Sequence, residues 1–370
     1  MEDIPMYNFI VKSIIHDYEV QFIENFKQTL DSELIEGDFI IIDNNIIKYY
    51  PKQTKDALAN YQHIGIDATE PQKSYQGVMP VIQTLIEKGF KKNHRLVAIG
   101  GGITQDITAF ISSIMYRGVN WIFFPTTLLA QGDSCIGSKT SINFAEYKNQ
   151  LGGFYPPNKI FIHPKFIDTL TEAEMKSGMG EMLHYFIVSG KDDFIMYKEH
   201  FKDAFNNKEV LAKIIARSLE IKKGYIEKDE FDRNIRQVFN YGHSFGHAIE
   251  SLTHYKVPHG IAVSFGMDIA NFISVKMGFI TGELRNEIRQ VTEYIWQGFQ
   301  IKDIDLELLQ KALSKDKKNI GVKLGLILNK GYGNIFKNVM DADEIFTNWL
   351  TEYFKNELPR GKQRGILKQC

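Results

Sequence analysis

The sequence predicts two domains of different class. These are an α/β domain with a mostly parallel sheet over residues 1–173 and a mainly α-helical domain over residues 174–370. The first observation is length, because 370 residues exceed what one hydrophobic core usually holds. The second is that buried-strand and helical patterns alternate in the first half. The third is that strand patterns fade after about residue 171, where helical periodicity continues.

Four short apolar runs in the first half are typical of buried strands, because they are rich in β-branched or aromatic residues and are bounded by Gly, Pro or Asn. The runs are FIIID (39–43), RLVAIG (95–100), NWIFFP (120–125) and KIFIHP (159–164). Helical patterns lie between them, for example over residues 75–90 and 104–118. This alternation predicts a Rossmann-like arrangement, in which helices cover both faces of a parallel sheet.

The second half has helical periodicity almost throughout. The helical segments are residues 171–190, 207–230, 240–254, 264–278, 283–298 and 305–314. No internal repeat or low-complexity segment interrupts them. The basic tail at residues 359–370 is expected to fray, and its role is left open.

Composition argues against several classes of protein. The net charge of −1 gives no reason to expect a nucleic-acid or membrane partner. Two cysteines, Cys135 and Cys370, are too few for a disulfide framework and fit a reducing cytoplasm. The first residues do not read as a signal peptide, and no apolar run is long enough to span a bilayer.

A buried-strand pattern runs into Gly100–Gly102, and a helical pattern starts soon afterwards. Glycines let a backbone approach a phosphate closely, and a helix N-terminus favours an anion. However, Gln105 stands where GxGxxG has its third glycine, so this is not the standard dinucleotide fingerprint. From these residues alone, the segment is either a phosphate-binding turn or an ordinary tight turn of an α/β sheet.

Polar and charged side chains are interspersed with glycines and hydroxyls over residues 124–157. They include Asp133, Lys139, Lys148 and Asn149, and Arg117 precedes them. Such a mixture is a natural oxyanion receptor. The alternative is a row of solvated surface lysines, which fits poorly with the apolar TTLLA and GGFYPP sequences in the same stretch.

Two histidines, His243 and His247, are spaced so that both would lie on one face of a helix. That spacing suits a metal ligand beside a histidine that handles protons, but an amphipathic helix with two satisfied histidines is the alternative. Glu181 lies in an apolar helical pattern, where a carboxylate is costly unless it is paired or metal-bound. Glu181, His243 and His259 make a possible His₂Glu set for Zn²⁺. The alternative is that these three residues lie apart in the fold.

These segments together resemble 3-dehydroquinate synthase and the wider sugar-phosphate cyclase family. The resemblance covers roughly residues 65–335. Its motifs are GGGITQD, YRGV, PTTLLAQGDSCIGSKTSIN, YKNQLGGFYPP, GMGE, EIKKGYIEKDEFDRNIRQVFNYGHSFGHAIE, HGIAVSFGMDIA and KDKKNIG. It implies an NAD-binding α/β domain, a helical domain that binds Zn²⁺ or Co²⁺, a phosphorylated small-molecule substrate, carbon–oxygen lyase activity and a homodimer.

The resemblance also implies a role for individual residues. The metal ligands would be Glu181, His243 and His259. Catalytic roles would fall to Asp133, Lys139, His184, Lys222 and His247. Substrate would be bound by Arg117, Lys148, Asn149, Arg236, Asn240 and Lys317, with Arg117 reaching the phosphate from its own or the neighbouring subunit. NAD would be bound by Asp43, Glu70, Lys73, Gly101, Gly102, Asp106, Thr126 and Thr127, the acidic side chains holding ribose hydroxyls.

The chemistry that the resemblance implies explains these residue types. NAD⁺ oxidises a ring hydroxyl to a ketone while the metal polarises that oxygen, and phosphate is then eliminated from the acidified position. The hydride returns, the ring opens, and an internal aldol reaction closes a carbocycle without net redox change. Because phosphate leaves with high negative charge, the site needs a cluster of Lys and Arg.

The sequence departs from the family pattern at several positions. His184 stands where dehydroquinate-forming members usually carry a lysine, and Gln105, Gly180 and the FAEYKN loop also differ. Lys222 and Arg236 are retained where the family binds a substrate carboxylate. They favour a carboxylated seven-carbon substrate, which would make the product 3-dehydroquinate.

Three alternatives remain open at this stage. A cyclase acting on sedoheptulose 7-phosphate, with a valiolone-like product, or another specialised cyclase would use the same chemistry. A metal-dependent polyol dehydrogenase would share the two-domain layout and the glycine-rich turn, but the cationic residues would have no purpose in it. A non-catalytic binding protein is the third alternative, although every proposed metal ligand is present.

Overall fold

The computed structural model describes residues 7–145, 147–301, 303–314 and 323–358. The elements are, in chain order, β1 (Phe9–Val11), β2 (Tyr18–Phe22), α1 (Phe26–Glu33), β3 (Phe39–Asp43), α2 (Asn44–Tyr49), α3 (Pro51–Asn60), β4 (Gln62–Ile66), α4 (Tyr75–Glu87), β5 (Leu96–Gly100), α5 (Gly102–Ile114), β6 (Trp121–Pro125), β7 (Lys139–Phe144), β8 (Tyr147–Phe154), β9 (Lys159–Ile162), α6 (Glu172–Ser189), α7 (Lys191–His200), α8 (Lys208–Ile226), α9 (His243–Leu252), α10 (His259–Lys276), α11 (Gly282–Trp296), α12 (Leu306–Ser314), β10 (Leu324–Asn329), β11 (Ile335–Met340) and α13 (Glu344–Glu352).

The chain forms two compact units that are discontinuous in sequence. The first unit contains the chain up to Tyr185 together with Met196–Arg236. The second unit contains Phe186–Ile195 together with the chain from Gln237 onward. Helix α6 therefore contributes to both units. The single domain boundary between residues 173 and 174 stays a prediction.

A seven-stranded sheet organises the first unit, in the order β1-β2-β9-β6-β5-β3-β4. Every pairing in it is parallel except that of β1 with β2. The four predicted buried strands are β3, β5, β6 and β9, so the predicted mostly parallel sheet is confirmed. Strands β3, β5 and β6 are buried along their whole length, as expected when helices cover both faces of a sheet.

Aromatic and β-branched side chains fill the layer between this sheet and its covering helices. Ile42, Ile99 and Phe124 from neighbouring strands belong to one buried cluster with Phe26 of α1 and Phe166. The Phe26 ring meets the Phe124 ring edge-on at 5.6 Å and the Phe166 ring at 4.9 Å. These edge-to-face contacts are the geometry that aromatic rings prefer. They hold the central strands, and hence their carboxyl ends, in fixed positions.

Closely packed glycines bring α9 and α10 together in the second unit. A Cβ placed on Gly266 would lie 2.0 Å from the carbonyl oxygen of Gly242, and one on Gly246 would lie 3.0 Å from the Cα of Val263. Only hydrogen fits at Gly266 and a Cβ at Gly246 would be tight, so the helix axes can approach each other closely. Helix α10 is buried along most of its length, and the predicted helical character of the second half is confirmed. The hairpin β10–β11 is an addition that the sequence did not predict.

Buried polar residues of the second unit are paired with one another. Arg285 donates to both carboxylate oxygens of Asp268, at 3.0 and 3.1 Å, and Asn329 donates to Asn271 at 3.0 Å. Such pairing offsets the cost of burying polar groups. Among the described residues, no helix combines the length and the apolar character that a bilayer crossing requires.

Candidate active site

The predicted glycine-rich turn lies at the carboxyl edge of the parallel sheet. Strands β3, β5 and β6 are neighbours, so their ends come to the same edge. Gly101 precedes α5, and a Cβ on it would lie 2.7 Å from Cγ2 of Thr127. The backbone N–H of Thr126 donates to the carbonyl of Gly100 at 2.9 Å. This edge of an open α/β sheet, with a helix N-terminus beside it, is where such folds usually bind nucleotides.

Two acidic side chains lie near this edge, the buried Asp43 and the partly buried Asp106. Asp43 ends β3 and accepts from the backbone N–H of Asn45 at 2.9 Å, and burial raises the pKa of its carboxyl group. Asp106 on α5 pairs with Lys73, with Nζ and Oδ2 2.5 Å apart. Burial raises the pKa of Asp106 more than the charge of Lys73 lowers it. Both carboxyl groups are therefore held in surroundings that favour hydrogen bonding over full hydration.

Asn143 joins Glu70 to the β7–β8 hairpin. Its Nδ2 donates to Oε1 of Glu70 at 2.7 Å, and its Oδ1 accepts from the backbone N–H of Asn149 at 2.9 Å. Lys148 on the same hairpin has its Nζ 3.5 Å from Glu70. The structure thus groups three residues that the sequence indicated separately, namely Glu70, Lys148 and Asn149.

A partly buried carboxylate, Asp133, holds the buried Lys222 in the first unit. Nζ of Lys222 donates to Oδ1 of Asp133 at 2.7 Å and to its carbonyl oxygen at 2.6 Å. The hydroxyl of Tyr185 donates to the same Oδ1. Burial, and then the negative charge of Asp133, raise the pKa of Tyr185 well above its usual value, so this hydroxyl stays a donor. Tyr185 was not among the predicted site residues.

Two more cations lie close to Lys222. Lys139 begins β7 and pairs with Asp232, with Nζ and Oδ2 2.5 Å apart. Arg236 is buried and donates from Nη1 to the carbonyl of Glu230 at 2.6 Å. It also approaches the carbonyl of Gly137 at 3.3 Å. Asp232 is a second residue of this cluster that was not predicted.

The pKa of Lys139 shows that these cations influence one another. Burial of the ammonium group lowers the pKa most, the charge of Arg236 lowers it further, and Lys222 adds to this, while Asp232 raises it. The lowering causes together outweigh Asp232. The Lys139 side chain is 53% exposed, so solvent screens part of the effect. We call Lys139, Lys222 and Arg236 the cation cluster.

Arg117 lies in an unusual stretch of backbone after α5. Tyr116 and Arg117 have φ values of 50° and 65°, and Gly118 follows with φ 116°. Consecutive non-glycine residues in the left-handed region are costly and are often retained at functional positions. Arg117 is exposed.

Helix α6 carries Glu181 and His184, and both side chains are buried, with exposures of 3% and 1%. The ring of His184 lies against the ring of Tyr185, with centroids 3.9 Å apart. His184, which stands where the resemblance predicts a lysine, therefore lies next to Tyr185, the residue that donates to Asp133.

Three histidine rings gather in the second unit. His243 and His247 lie on α9 with ring centroids 5.4 Å apart, so the predicted shared helix face is confirmed. His259, the first residue of α10, has its ring centroid 5.4 Å from that of His243 and 5.6 Å from that of His247. The close approach of α9 and α10 at their glycines makes this grouping possible.

A second carboxylate orients one of these rings. Nδ1 of His259 lies 2.9 Å from Oε2 of Glu250, and Nδ1 of His243 lies 3.3 Å from the carbonyl oxygen of Tyr241. A histidine that binds a metal through one ring nitrogen usually bonds a carboxylate or carbonyl through the other. A second candidate ligand set lies in this unit. Its residues each place one ligand atom within 4.8 Å of the others, and they are His247, Glu250 and His259.

Two predicted substrate-binding residues remain. Asn240 ends a short 3₁₀ helix, and its Nδ2 donates to the carbonyl of Gln237 at 3.1 Å. Lys317 lies outside the described residues.

Comparison with known proteins places the chain in a family. Models described as "3-dehydroquinate synthase N-terminal" and "3-dehydroquinate synthase C-terminal" match residues 63–177 and 178–319. The fold combines an α/β part with an α-helical part. The chain belongs to the 3-dehydroquinate synthase family. A relative named 3-dehydroquinate synthase from Alkaliphilus metalliredigens is 34% identical over 325 residues, which cover 86% of this chain and 91% of the relative.

Two solved structures share the fold. One is a 2-deoxy-scyllo-inosose synthase complexed with carbaglucose-6-phosphate, NAD⁺ and Co²⁺. It has a TM-score of 0.80 and 22% identity, and the match covers 94% of this chain and 99% of that one. The other is 2-epi-5-epi-valiolone synthase from Streptomyces hygroscopicus subsp. jinggangensis 5008 with NAD⁺ and Zn²⁺. Its TM-score is 0.81 at 22% identity, with 93% and 98% coverage.

Proposed function

We propose that the protein is an NAD- and metal-dependent sugar-phosphate cyclase. In this proposal it converts a seven-carbon keto-sugar-acid 7-phosphate to 3-dehydroquinate and cleaves the C–O bond to phosphate. The cation cluster is the observation that carries the proposal. Lys139 pairs with Asp232 of the loop that also carries Arg236, and Nη1 of Arg236 lies 3.3 Å from the carbonyl of Gly137, two residues before Lys139. Gathering like charges is unfavourable by itself and suits a site for a multiply charged anion.

The curated relative supports the product, since it is named 3-dehydroquinate synthase. The two solved structures support the cofactors, since they hold NAD⁺ with Co²⁺ or Zn²⁺. We further propose a homodimer in a reducing cytoplasm. The low cysteine count, with Cys135 free and buried, is compatible with such a compartment.

Glu181, His243 and His259 would hold the metal. Nitrogen and carboxylate ligands in a His₂Glu set suit Zn²⁺ or Co²⁺ and leave coordination positions for substrate. The donor set fits, because Nδ1 of His259 lies against Glu250 and Nδ1 of His243 lies against a carbonyl. Each ring would then use Nε2 as the ligand atom.

The residues at the sheet edge would hold NAD. Gly101 and Gly102 would let the backbone approach the pyrophosphate. Asp43 and Glu70 would accept from ribose hydroxyls. The remaining contacts would come from Lys73, Asp106, Thr126 and Thr127. Bound NAD⁺ supplies a reversible hydride acceptor, and a bound divalent metal supplies Lewis-acid polarisation of a substrate oxygen.

The cation cluster would hold the substrate's two anionic ends. Lys222 uses two of its three N–H donors on Asp133 and can offer the third to a carboxylate. Arg236 is fixed by the carbonyls of Gly137 and Glu230. It would offer its remaining N–H donors to the same carboxylate, beside Lys222. Lys139 would hold phosphate charge, together with Arg117, Lys148, Asn149, Asn240 and Lys317.

Proton handling would fall to residues beside these anchors. His247, one helical turn after His243, would exchange a proton with the substrate. Asp133 would fix Lys222 in place, and His184 would act next to Tyr185. NAD would act only as a catalyst in this proposal, so no net NADH is expected.

Another cyclase is the alternative, and His184 is the observation that favours it. A histidine replaces the fixed positive charge of lysine at a buried position of α6, so the pocket carries less charge for a carboxylated substrate. Sedoheptulose 7-phosphate lacks that carboxylate. A metal-dependent polyol dehydrogenase is a weaker alternative, because its substrate would leave the cation cluster without an anion.

Inorganic phosphate release tests the proposal. Purified protein loaded with Zn²⁺ or Co²⁺ and NAD⁺ is given 3-deoxy-D-arabino-heptulosonate 7-phosphate or sedoheptulose 7-phosphate, and absorbance at the NADH band is followed in parallel. We expect phosphate release from the first substrate without net NADH. Release from the second alone would support the alternative cyclase. Stoichiometric NADH accumulation with a polyol would support the dehydrogenase.

A further inference from the structure

We propose that the turn between β1 and β2, residues 12–17, positions the substrate-binding cations through Glu230. We call this turn the N-terminal clip. Glu230 is a positioning residue, because it acts through the segments that carry Lys139 and Arg236. The inference rests on the proposed function, since it treats those cations as the anion-binding groups.

Glu230 is a buried carboxylate with an exposure of 4%. Its Oε1 accepts from the hydroxyls of Ser13 at 2.7 Å and Ser138 at 2.6 Å, and its Oε2 accepts from the backbone N–H of Ile14 at 2.7 Å. Two of these donors belong to the clip and the third lies directly before Lys139. One side chain therefore ties together three segments that are far apart in sequence.

The segment that carries Glu230 also carries substrate-site groups. The carbonyl of Glu230 accepts from Nη1 of Arg236 at 2.6 Å, and Asp232, two residues on, pairs with Lys139. Asp229 caps this loop, because its carboxylate accepts from the backbone N–H groups of Arg233, Asn234 and Arg236. A shift of Glu230 would therefore move both the Arg236 guanidinium and the partner of Lys139.

Two further contacts attach the clip and the first residue of β2, Tyr18, to the same region. The backbone N–H of Lys12 donates to Oε1 of Glu227 at 2.9 Å, and the hydroxyl of Tyr18 accepts from the backbone N–H of Gly137 at 3.0 Å. Gly137 itself has φ 115°, and a Cβ on it would lie 2.3 Å from Nη2 of Arg236. The clip and Tyr18 thus reach the two segments whose carbonyls hold Arg236.

Hydrogen bonds to a charged acceptor are about twice as strong as neutral ones, and a buried carboxylate is costly without them. Glu230 therefore holds the clip and the Lys139 segment together strongly. The family model begins at residue 63, so the clip lies outside the part of the chain that the model matches. The β1–β2 hairpin would thus have a positioning role in the proposed site.

The experiment compares Ser13→Ala with Ser32→Ala in the metal- and NAD-loaded protein. Ser32 is a matched control, because its hydroxyl bonds only a nearby carbonyl of α1 on the surface. With 3-deoxy-D-arabino-heptulosonate 7-phosphate as substrate, we expect Ser13→Ala to raise KM about tenfold. This is the effect expected from losing one charge-assisted hydrogen bond. We expect kcat to change less than about twofold, because the reacting groups are untouched. Ser32→Ala should match wild type.

Hydrogen exchange supplies a readout that is independent of turnover. Ser13→Ala should speed exchange of the backbone amides of residues 233–236, while amides of the buried strand β5 keep their protection. Glu230→Gln should do the same more strongly, and Glu230→Asp should restore part of the protection because the charge is kept. Equal exchange in Ser13→Ala and Ser32→Ala would overturn the positioning role. Faster exchange without turnover of any sugar phosphate in wild type would instead refute the proposed function alone.

Discussion

Lys139 shows how the local environment sets the working range of a single residue. Burial and the neighbouring charges of Arg236 and Lys222 lower its pKa. Its ammonium therefore loses its proton at a lower pH than an ordinary lysine, whose value is 10.5. Because phosphate binding needs the charged form, affinity for the sugar phosphate should fall as the pH rises through this lowered pKa.

We predict that Lys139→Arg moves that alkaline loss to higher pH. Arginine keeps its charge over the whole accessible range, so KM for the sugar phosphate should stay flat where wild-type KM rises. The measurement is KM as a function of pH from 7 upward, with each protein compared with its own value at neutral pH. An identical alkaline rise in both proteins would show that another group controls it.

The histidines of the second unit give a prediction about metal content. His243→Ala and His259→Ala should each abolish stable Zn²⁺ or Co²⁺ binding, because each removes one of three proposed ligands. Glu250→Ala should weaken affinity about 10- to 100-fold, since it removes only the group that orients His259. Metal affinity is measured by chelator competition, with circular dichroism as a check on folding.

His254→Asn is the control for this series. His254 is exposed and has φ 51°, a conformation that asparagine tolerates well, so metal affinity should be unchanged. His247→Ala distinguishes the two candidate ligand sets. A loss of affinity as large as that of His259→Ala would favour His247, Glu250 and His259 over the set that contains Glu181.

Single residues of the site were predictable from sequence, but their partnerships were not. Asp133 and Lys222 were each singled out, yet their bond spans 89 positions, and Tyr185 joins them from 52 positions away. No periodicity links such residues, because the fold of the first unit, not local spacing, brings them together. Glu230 and Asp232 lie in the charged run EKDEFDR, which is hard to distinguish from a solvated surface segment.

At the scale of elements, the packing of α9 on α10 depends on Gly266. A Cβ at this position would lie 2.0 Å from the carbonyl oxygen of Gly242, which is a backbone atom that cannot move aside alone. We predict that Gly266→Ala lowers the free energy of unfolding by about 1–3 kcal/mol. The substitution should also reduce metal affinity, because moving α9 away from α10 separates His243 from His259.

Gly282→Ala is the matched control for this prediction. Gly282 begins α11 in the same unit, and a Cβ on it meets nothing within 4 Å. The substitution should leave stability unchanged or raise it by about 0.5 kcal/mol. Denaturant unfolding of both variants, with metal content measured in parallel, checks the pair. Equal stabilities would show that the two helices tolerate a wider separation.

The pattern of burial explains which elements the sequence revealed. Strands β3, β5 and β6 are buried on both faces and read as continuous apolar runs. The missed strand β2 alternates buried and half-buried residues, and β8 is largely exposed with mixed polarity. Strands with so few buried residues carry too little apolar signal to stand out from loops. The helices of the second half gave the opposite case, because apolar residues at helical spacing continue over many positions.

At the scale of the whole molecule, Arg117 connects the proposed active site to the proposed homodimer. It lies on a left-handed stretch of backbone, and the side chains of Ile114 and Tyr116 beside it are exposed by 49% and 42%. Exposed apolar side chains around a fixed cation are suited to an interface between two copies. In a symmetric dimer the same surface occurs twice, so each copy could supply Arg117 to its partner.

We predict that Arg117→Ala and His243→Ala, each inactive alone, regain activity when the two proteins are unfolded together and refolded as mixed dimers. If Arg117 acts across the interface, a mixed dimer has one site with an intact arginine and an intact metal ligand, and the other site lacks both. Random mixing should then restore about a quarter of wild-type phosphate release. If Arg117 serves its own chain, every site in the mixture carries one defect, and release stays at the level of the separate variants. Sedimentation at the assay concentration shows whether dimers are present, and a monomer with full wild-type activity would contradict the shared site directly.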